Sequence, residues 1–275
     1  MRLTLWGTRG SIACSGPSTA RYGGDTASIE VRSDDDSLIV IDAGSGIRAL
    51  GANGHRSERI DILLSHLHMD HIQGLPFFAP LFAPGVEVHL WGPGSTAHSL
   101  RERVGRYLSP PLFPVGIREL PNIIFHDVLP GTFSIGSLEV TADHVAHPGA
   151  TVGYRLEENG KSAVYLSDHE PALGADPFPI APEWTSGYGL AANADILIHD
   201  SQYTDEEYSE RIGWGHTSFS QLAAFAEMAN VSRLVTFHHD PGHTDDMLDE
   251  AHRYLESELH SIEVIAGKQG VTLQV

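Results

Sequence analysis

The chain is nearly devoid of cysteine and lysine. Cys14 is its one cysteine, so no intrachain disulfide forms and no thiolate cluster binds a metal. Lys161 and Lys268 are its only lysines, and 17 basic side chains face 36 acidic ones, a net charge of −19. Such acidity favours solubility and repels both nucleic-acid phosphate and anionic lipid. No run approaches the roughly eighteen apolar residues of a membrane span. The opening segment, Met1-Arg2-Leu3-Thr4-Leu5-Trp6-Gly7, reads as a short strand rather than a secretory leader. The expectation is a cytoplasmic protein without membrane contact. With 275 residues and 41% apolar content, the chain is expected to fold as a single domain over 1–275.

Histidine, by contrast, is plentiful, and it is concentrated. Ser65-His66-Leu67-His68-Met69-Asp70-His71 places three imidazoles and a carboxylate within six consecutive positions, directly after the apolar run 60–64. An apolar run ending in a polar cluster reads as a buried strand that delivers side chains to a solvent-reached edge. Neutral imidazole and carboxylate together suit zinc, manganese or iron. The plainer alternative, a histidine-rich surface loop, is excluded only if partners occur downstream.

The rest of the chain reads as alternating strands and helices. Strands are expected over 3–6, 26–31, 37–41, 60–64, 86–91, 123–128, 137–142, 151–156, 162–166, 196–198, 234–237, 262–265 and 271–273. Helices are expected over 95–107 and 219–229, with a third running from Thr244 to about 258. Arg101, Arg103 and Arg106 read as a solvated helix face, and the proline-rich 109–114 as a stiff rim to a pocket. Asp42, at a strand end, reads as a loop-fixing acid rather than a ligand. Strands in both halves with helices between them imply sheets covered by helices on their outer faces.

Polar groups able to bind metal recur at three further strand ends: Asp143-His144-Val145-Ala146-His147, Ser167-Asp168-His169-Glu170, and His238-His239-Asp240. Seven or more nitrogen and oxygen donors exceed what one zinc needs, so the count favours two ions.

These motifs bring the chain to a family. His66 to His71 meets the pattern His-x-His-x-Asp-His of the metallo-β-lactamase-fold hydrolases. Trp6 to Ser11, Tyr22-Gly23-Gly24, Asp42 to Gly46, His147-Pro148-Gly149, Asp168, Gly215-His216-Thr217 and Phe237 to Pro241 resemble its phosphodiesterase and ribonuclease Z branch. The resemblance implies a four-layer αβ/βα sandwich with a dinuclear site at one edge of its two sheets. It further implies that His66, His68 and His147 hold one ion, that Asp70, His71 and His238 hold the other, and that Asp168 bridges them. His144 competes with His147, but the Pro-Gly after His147 fits the family pattern. His239 competes with His238, and adjacent side chains at a strand end point apart.

His216 is implied to lie beside the ions as proton donor, a task suited to its near-neutral intrinsic pKa. The expected reaction is attack on a small or cyclic phosphodiester by a hydroxide bridging two divalent ions, with Asp70 orienting it and His216 protonating the departing alkoxide. Zinc stands first, with manganese, iron or nickel as alternatives. tRNA is not expected as a substrate, because ribonuclease Z carries a long insertion where this chain has one hairpin, over 151–166. The family makes a homodimer unsurprising. Two other readings are an ester, lactone or thioester hydrolase on the same metals, and a non-catalytic metal sensor.

Overall fold

A computed structural model describes residues 1–54, 57–120, 122–179 and 181–275. The chain builds one sheet from its first half and a second from its second half. β1 (Arg2–Gly7), β2 (Ser28–Arg32), β3 (Leu38–Ile41), β4 (Arg59–Leu63), β5 (Glu87–Pro93) and β6 (Ile123–Val128) lie side by side in chain order. The second sheet orders β7 (Gly131–Ile135), β8 (Leu138–His144), β9 (Val152–Glu158), β10 (Lys161–Leu166), β11 (Ile196–Asp200), β12 (Arg233–Phe237) and β13 (Glu263–Ile265) in the same way. The last strand, β14 (Thr272–Gln274), returns to pair antiparallel with β1. Each sheet is antiparallel on one side and parallel on the other, the parallel runs being β3 to β6 and β10 to β13.

Strand sequences show why the sheets stack. In Leu38-Ile39-Val40-Ile41 all four side chains are buried, Ile39 and Ile41 between the sheets and Leu38 and Val40 beneath the outer helices. In β11, Ile196 and Ile198 turn inward while Leu197 turns outward. Alternate side chains leave opposite faces, so an uninterrupted apolar run requires cover on both. The inter-sheet core joins Leu3, Leu5, Ile29 and Val31 to Val140, Tyr154, Leu156, Val235 and Phe237. α1 (Ile47–Ala52), α2 (Met69–Ile72) and α3 (Leu100–Tyr107) serve the first sheet, and α4 (Tyr188–Ala191), α5 (Asp205–Ser209), α6 (Phe219–Met228) and α7 (Asp245–Glu258) accompany the second. The result is the expected αβ/βα sandwich. Among the described residues no helix is long and apolar enough to cross a membrane.

Three local expectations are corrected. α3 starts at Leu100 rather than at 95, because Ser99 caps it through the Glu102 amide while Glu102 bonds back to the Ser99 amide. β7 has no counterpart in the sequence reading. Its Gly-Thr-Phe-Ser-Ile sequence is short and largely exposed, as an edge strand can be. Arg103 is not on a solvated face: its side chain is mostly buried and donates to the Pro93 carbonyl and Asp127.

One buried cation fixes the segment that follows β1. Arg9 is fully buried and donates to the carbonyls of Gly23, Asp240 and His243, with Asp245 at 3.7 Å. The Gly10 amide donates to the His239 carbonyl and the His239 amide to that of Thr8. The segment is thereby laid alongside residues 238–243. Arg9→Met would strand three carbonyls and remove the buried guanidinium that faces Asp245. We expect a loss of about 3 kcal/mol, read as a lower urea midpoint; an unchanged midpoint would show that the clamp contributes nothing.

Candidate metal centre

Parallel strands deliver their C-terminal ends to one edge, the usual ligand-binding edge of such sheets. Ile41 of β3 sits in register with Leu63 of β4, so Asp42 emerges beside the 65–71 loop. In the second sheet Leu166 pairs with His199, and Asp200 with Phe237. Asp168, Asp200 and His238 therefore emerge together.

The structure brings together all seven residues expected as metal ligands. One group comprises His66, His68, His147 and Asp168, and another Asp70, His71, His238 and Asp168; within each, the candidate donor atoms all lie within 4.8 Å of one another. Asp168 belongs to both. Its Oδ1 faces His66 Nε2 at 3.7 Å and His147 Nε2 at 3.8 Å, while its Oδ2 faces His71 Nε2 at 3.0 Å and His238 Nε2 at 3.4 Å. His144 lies outside both groups, exposed, with Nδ1 at 3.4 Å from the Thr151 carbonyl. His239 also points away, its Nε2 donating to the Gly267 carbonyl at 2.8 Å; burial pushes its pKa down to about 3.

Hydrogen bonds set which imidazole nitrogens face the cluster. The His147 Nδ1–H donates to the Gly215 carbonyl at 2.9 Å and the His71 Nδ1–H to Asp42 at 2.7 Å, which turns Nε2 inward in each case. Asp42 also accepts from the Ser65 amide, the Ser65 hydroxyl and the Tyr165 hydroxyl. It thus has the loop-fixing role expected and is not part of the donor cluster. On the far side, Asp70 accepts from the Ser11 amide at 2.7 Å. Gly10 leaves no room for a Cβ against the His238 ring, and His238 itself sits at φ +58.

The two groups differ in charge. Burial lowers the pKa of His66, His68 and His147, leaving neutral imidazoles. Burial also opposes charge on His71 and His238, but Asp168 and Asp70 outweigh it and hold both pKa values above the usual range. Asp70 and Asp168 are correspondingly driven far below ordinary carboxylates by those imidazoles, despite burial. One side thus offers lone pairs, and the other holds positive charge between carboxylates.

His216 sits next to this cluster. Its ring stacks on His238 at 5.1 Å and meets His147 edge-on at 5.1 Å. Its Nδ1–H donates to Asp200 Oδ2 at 2.7 Å, so Nε2 is the ring nitrogen left free. Asp200 also accepts from the Gln202 and Thr217 amides. Glu170, wholly buried, accepts from the amides of Gly213 and Gly215 and from the Tyr208 hydroxyl. Its own amide donates to the Ala146 carbonyl. It therefore ties the strand end bearing Asp168 to the loops of His147 and His216.

The sequence offers Glu170 only as a member of the donor-capable stretch 167–170 and gives Asp200 no role. The signal for Asp200 was an acid ending the apolar run 196–198, the same pattern that marked Asp168. Glu170 holds loops instead of a metal, and nothing in the sequence marks that role, since its partners are backbone amides more than forty residues away. The segment 109–114, expected as a stiff rim, contributes no residue to the hollow beside His66 and His68. Phe113 packs against Phe77 at 6.0 Å, and the hollow beside His66 and His68 is lined by Ser95, Arg103 and 148–150.

Glu170→Ala would leave the buried Gly215 amide, the Gly213 amide and the Tyr208 hydroxyl hydrogen without their acceptor. We expect a cost of about 2–3 kcal/mol and faster hydrogen exchange at Gly213 and Gly215. Protection unchanged at those amides would show that Glu170 does not hold the loop.

The chain matches the beta-lactamase superfamily domain over residues 38–239. It is 25% identical to a ribonuclease Z of Haloarcula marismortui, over 94% of this chain and 93% of that one. The metallo-beta-lactamase fold protein YhfI from Bacillus subtilis superimposes with a TM-score of 0.73 at 17% identity, covering 99% of both chains. A diphosphatase of the PhnP family does so with a TM-score of 0.69 at 20% identity, covering 99% of this chain and 97% of that one. A relative named ribonuclease Z runs against the expectation that tRNA is not a substrate. The chain belongs to the beta-lactamase superfamily, as a hydrolase with the metallo-β-lactamase fold that is similar to ribonuclease Z.

Proposed function

We propose that this protein is a phosphodiesterase using two divalent ions, acting on small or cyclic phosphodiesters, with His216 as general acid. The observation that carries the reading is Asp168, whose two oxygens each face a separate set of donors. The donors fit cations. His66 Nε2 is buried without a hydrogen-bond partner, and His147 Nε2, its lone pair directed inward, lies 3.2 Å from His68 Nδ1. His66, His68 and His147 would hold one ion and Asp70, His71 and His238 the other, with Asp168 shared. Imidazole and carboxylate donors favour zinc and also accept manganese, iron or nickel. Two such ions would supply an activated water at neutral pH and offset the charge on a phosphate oxygen.

The chain's own groups do the rest. Asp70 Oδ1 accepts no hydrogen bond among the described residues, which leaves it to accept one from the attacking water. Asp200 fixes the orientation of His216, which leaves Nε2 as the nitrogen able to donate a proton to the departing alkoxide. A small substrate is favoured over tRNA by the β9–β10 hairpin, which turns at Asn159 and Gly160, and by the net charge of −19. Residues 1–275 act as one domain in this reading, and the protein is cytoplasmic.

Zinc- or manganese-loaded protein should hydrolyse bis(p-nitrophenyl) phosphate and 2′,3′-cyclic nucleotides faster than a lactone or a precursor tRNA. Turnover of the lactone alone, or of the tRNA alone, would sink the proposal. His216→Ala should cost on the order of 10²-fold or more with an alkoxide leaving group. It should cost far less with p-nitrophenolate, which departs unprotonated; equal losses would remove the acid role. Metal analysis should find two ions per chain. Asp42→Ala, by freeing the His71 ring, should weaken metal affinity roughly 10- to 100-fold, as read by competition with a chelating dye.

A further inference from the structure

Asp200, His216 and His238 form a third close group at this edge, their facing atoms within 4.8 Å of one another. The two rings stack with their planes 14° apart, and both turn Nδ1 toward the same oxygen. Asp200 Oδ2 lies 2.7 Å from His216 Nδ1 and 3.7 Å from His238 Nδ1. The first contact is a hydrogen bond; the second is too long to be one. His238 Nδ1 is sealed from solvent and has no hydrogen-bond partner among the described residues.

That nitrogen is hemmed in. A Cβ on Gly10 would lie 2.5 Å from His238 Nδ1, so the backbone of Gly10 closes off this edge of the ring. On the opposite edge, Nε2 faces Asp70 Oδ2 at 3.1 Å and Asp168 Oδ2 at 3.4 Å, the direction required of a metal ligand. A histidine that offers Nε2 to a cation is neutral and carries its proton on Nδ1. In His238 that proton would be buried without an acceptor unless Asp200 supplies one, and an unmet buried N–H is costly. Asp200 can do so without releasing His216, because a carboxylate oxygen has two lone pairs. His71, the other imidazole of the same donor group, already shows such an arrangement, with Asp42 Oδ2 2.7 Å from its Nδ1.

We propose that Asp200 is a positioning residue for two imidazoles at once: it holds His238 for the ion assigned to Asp70, His71 and His238, and it aims His216. One oxygen then couples occupancy of that ion site to the orientation of the acid, and the coupling is reciprocal. The inference rests on the two-ion phosphodiesterase reading.

Asp200→Asn keeps an oxygen for the Gln202 and Thr217 amides, which both donate to Oδ1, and puts an amide donor in place of Oδ2. Zinc titration of the full-length protein against a chelating dye should show one ion weakened roughly 10- to 100-fold and the other unchanged. His216→Ala leaves Oδ2 to His238 alone and should keep both affinities at or above those of the wild type. Unchanged affinities in Asp200→Asn, an equal loss at both ion sites, or a matching loss in His216→Ala would each overturn the proposal. Turnover separates the two tasks. Excess zinc should restore hydrolysis of bis(p-nitrophenyl) phosphate by Asp200→Asn, but not of a diester with an alkoxide leaving group; the same response from both substrates would leave Asp200 a single, structural role. A third readout needs no variant. In crystals of the wild type grown with zinc, the 3.7 Å separation should close to hydrogen-bond length; an unchanged gap, or an ion lying between the two atoms, would refute the sharing. If the wild type binds two ions yet hydrolyses no diester, the phosphodiesterase reading fails, while the dye titration and the zinc-bound structure still decide the role of Asp200.

Discussion

Everything at the functional edge answers to one buried charge, the carboxylate of Asp168. A carboxylate taken out of water is expensive unless positive charge or hydrogen bonds replace its hydration. Here the Ser167 hydroxyl donates one hydrogen bond, and imidazoles from both sheets supply the rest of its surroundings. His66 and His71 arrive from the end of β4, His147 from beyond β8, and His238 from the end of β12. The cluster therefore forms only if the two sheets stack at one offset. The offset is set by the interlocked inner faces, where Tyr165 packs edge-on against Phe237 while its hydroxyl crosses to Asp42 of the first sheet. Stacking of the core and geometry of the site are here the same constraint.

Three further buried acids extend this arrangement outward. Among the described residues Asp42, Glu170 and Asp200 lie opposite no lysine or arginine; each is satisfied by amides, hydroxyls or an imidazole. An acid used this way works as a fixed acceptor, orienting N–H groups rather than neutralising a cation. Such use also accounts for part of the excess of acidic over basic residues, which composition alone read as surface character.

The donor set was legible in the sequence because metal chemistry restricts residue type and strand ends restrict position. His-x-His-x-Asp-His is dense enough to be seen in isolation, and Asp168 and His238 each follow a recognisable apolar run. The supporting acids were not legible for a physical reason. Glu170 and Asp200 act on partners remote in sequence, and one acid at a strand end is common in any α/β chain. The helix at 95–107 was overextended because the Ser99 cap lies inside a region of acceptable composition. β7 escaped because an exposed edge strand shows no apolar periodicity. Arg103 looked solvated from its spacing with Arg101 and Arg106, whereas the chain folds it onto Pro93 and Asp127.

The fate of Arg103 bears on how this edge could recognise an anion. It is the cation that lines the hollow beside His66 and His68, yet Asp127 lies 3.4 Å from its guanidinium and burial lowers its pKa. Much of its charge is thus already spent within the protein. With a net charge of −19 overall, long-range attraction for a polyanion is missing, and the cluster around Asp168 is the part of this edge suited to bind cations. If the proposed ions are bound there, they rather than basic side chains would hold a phosphate group at this edge.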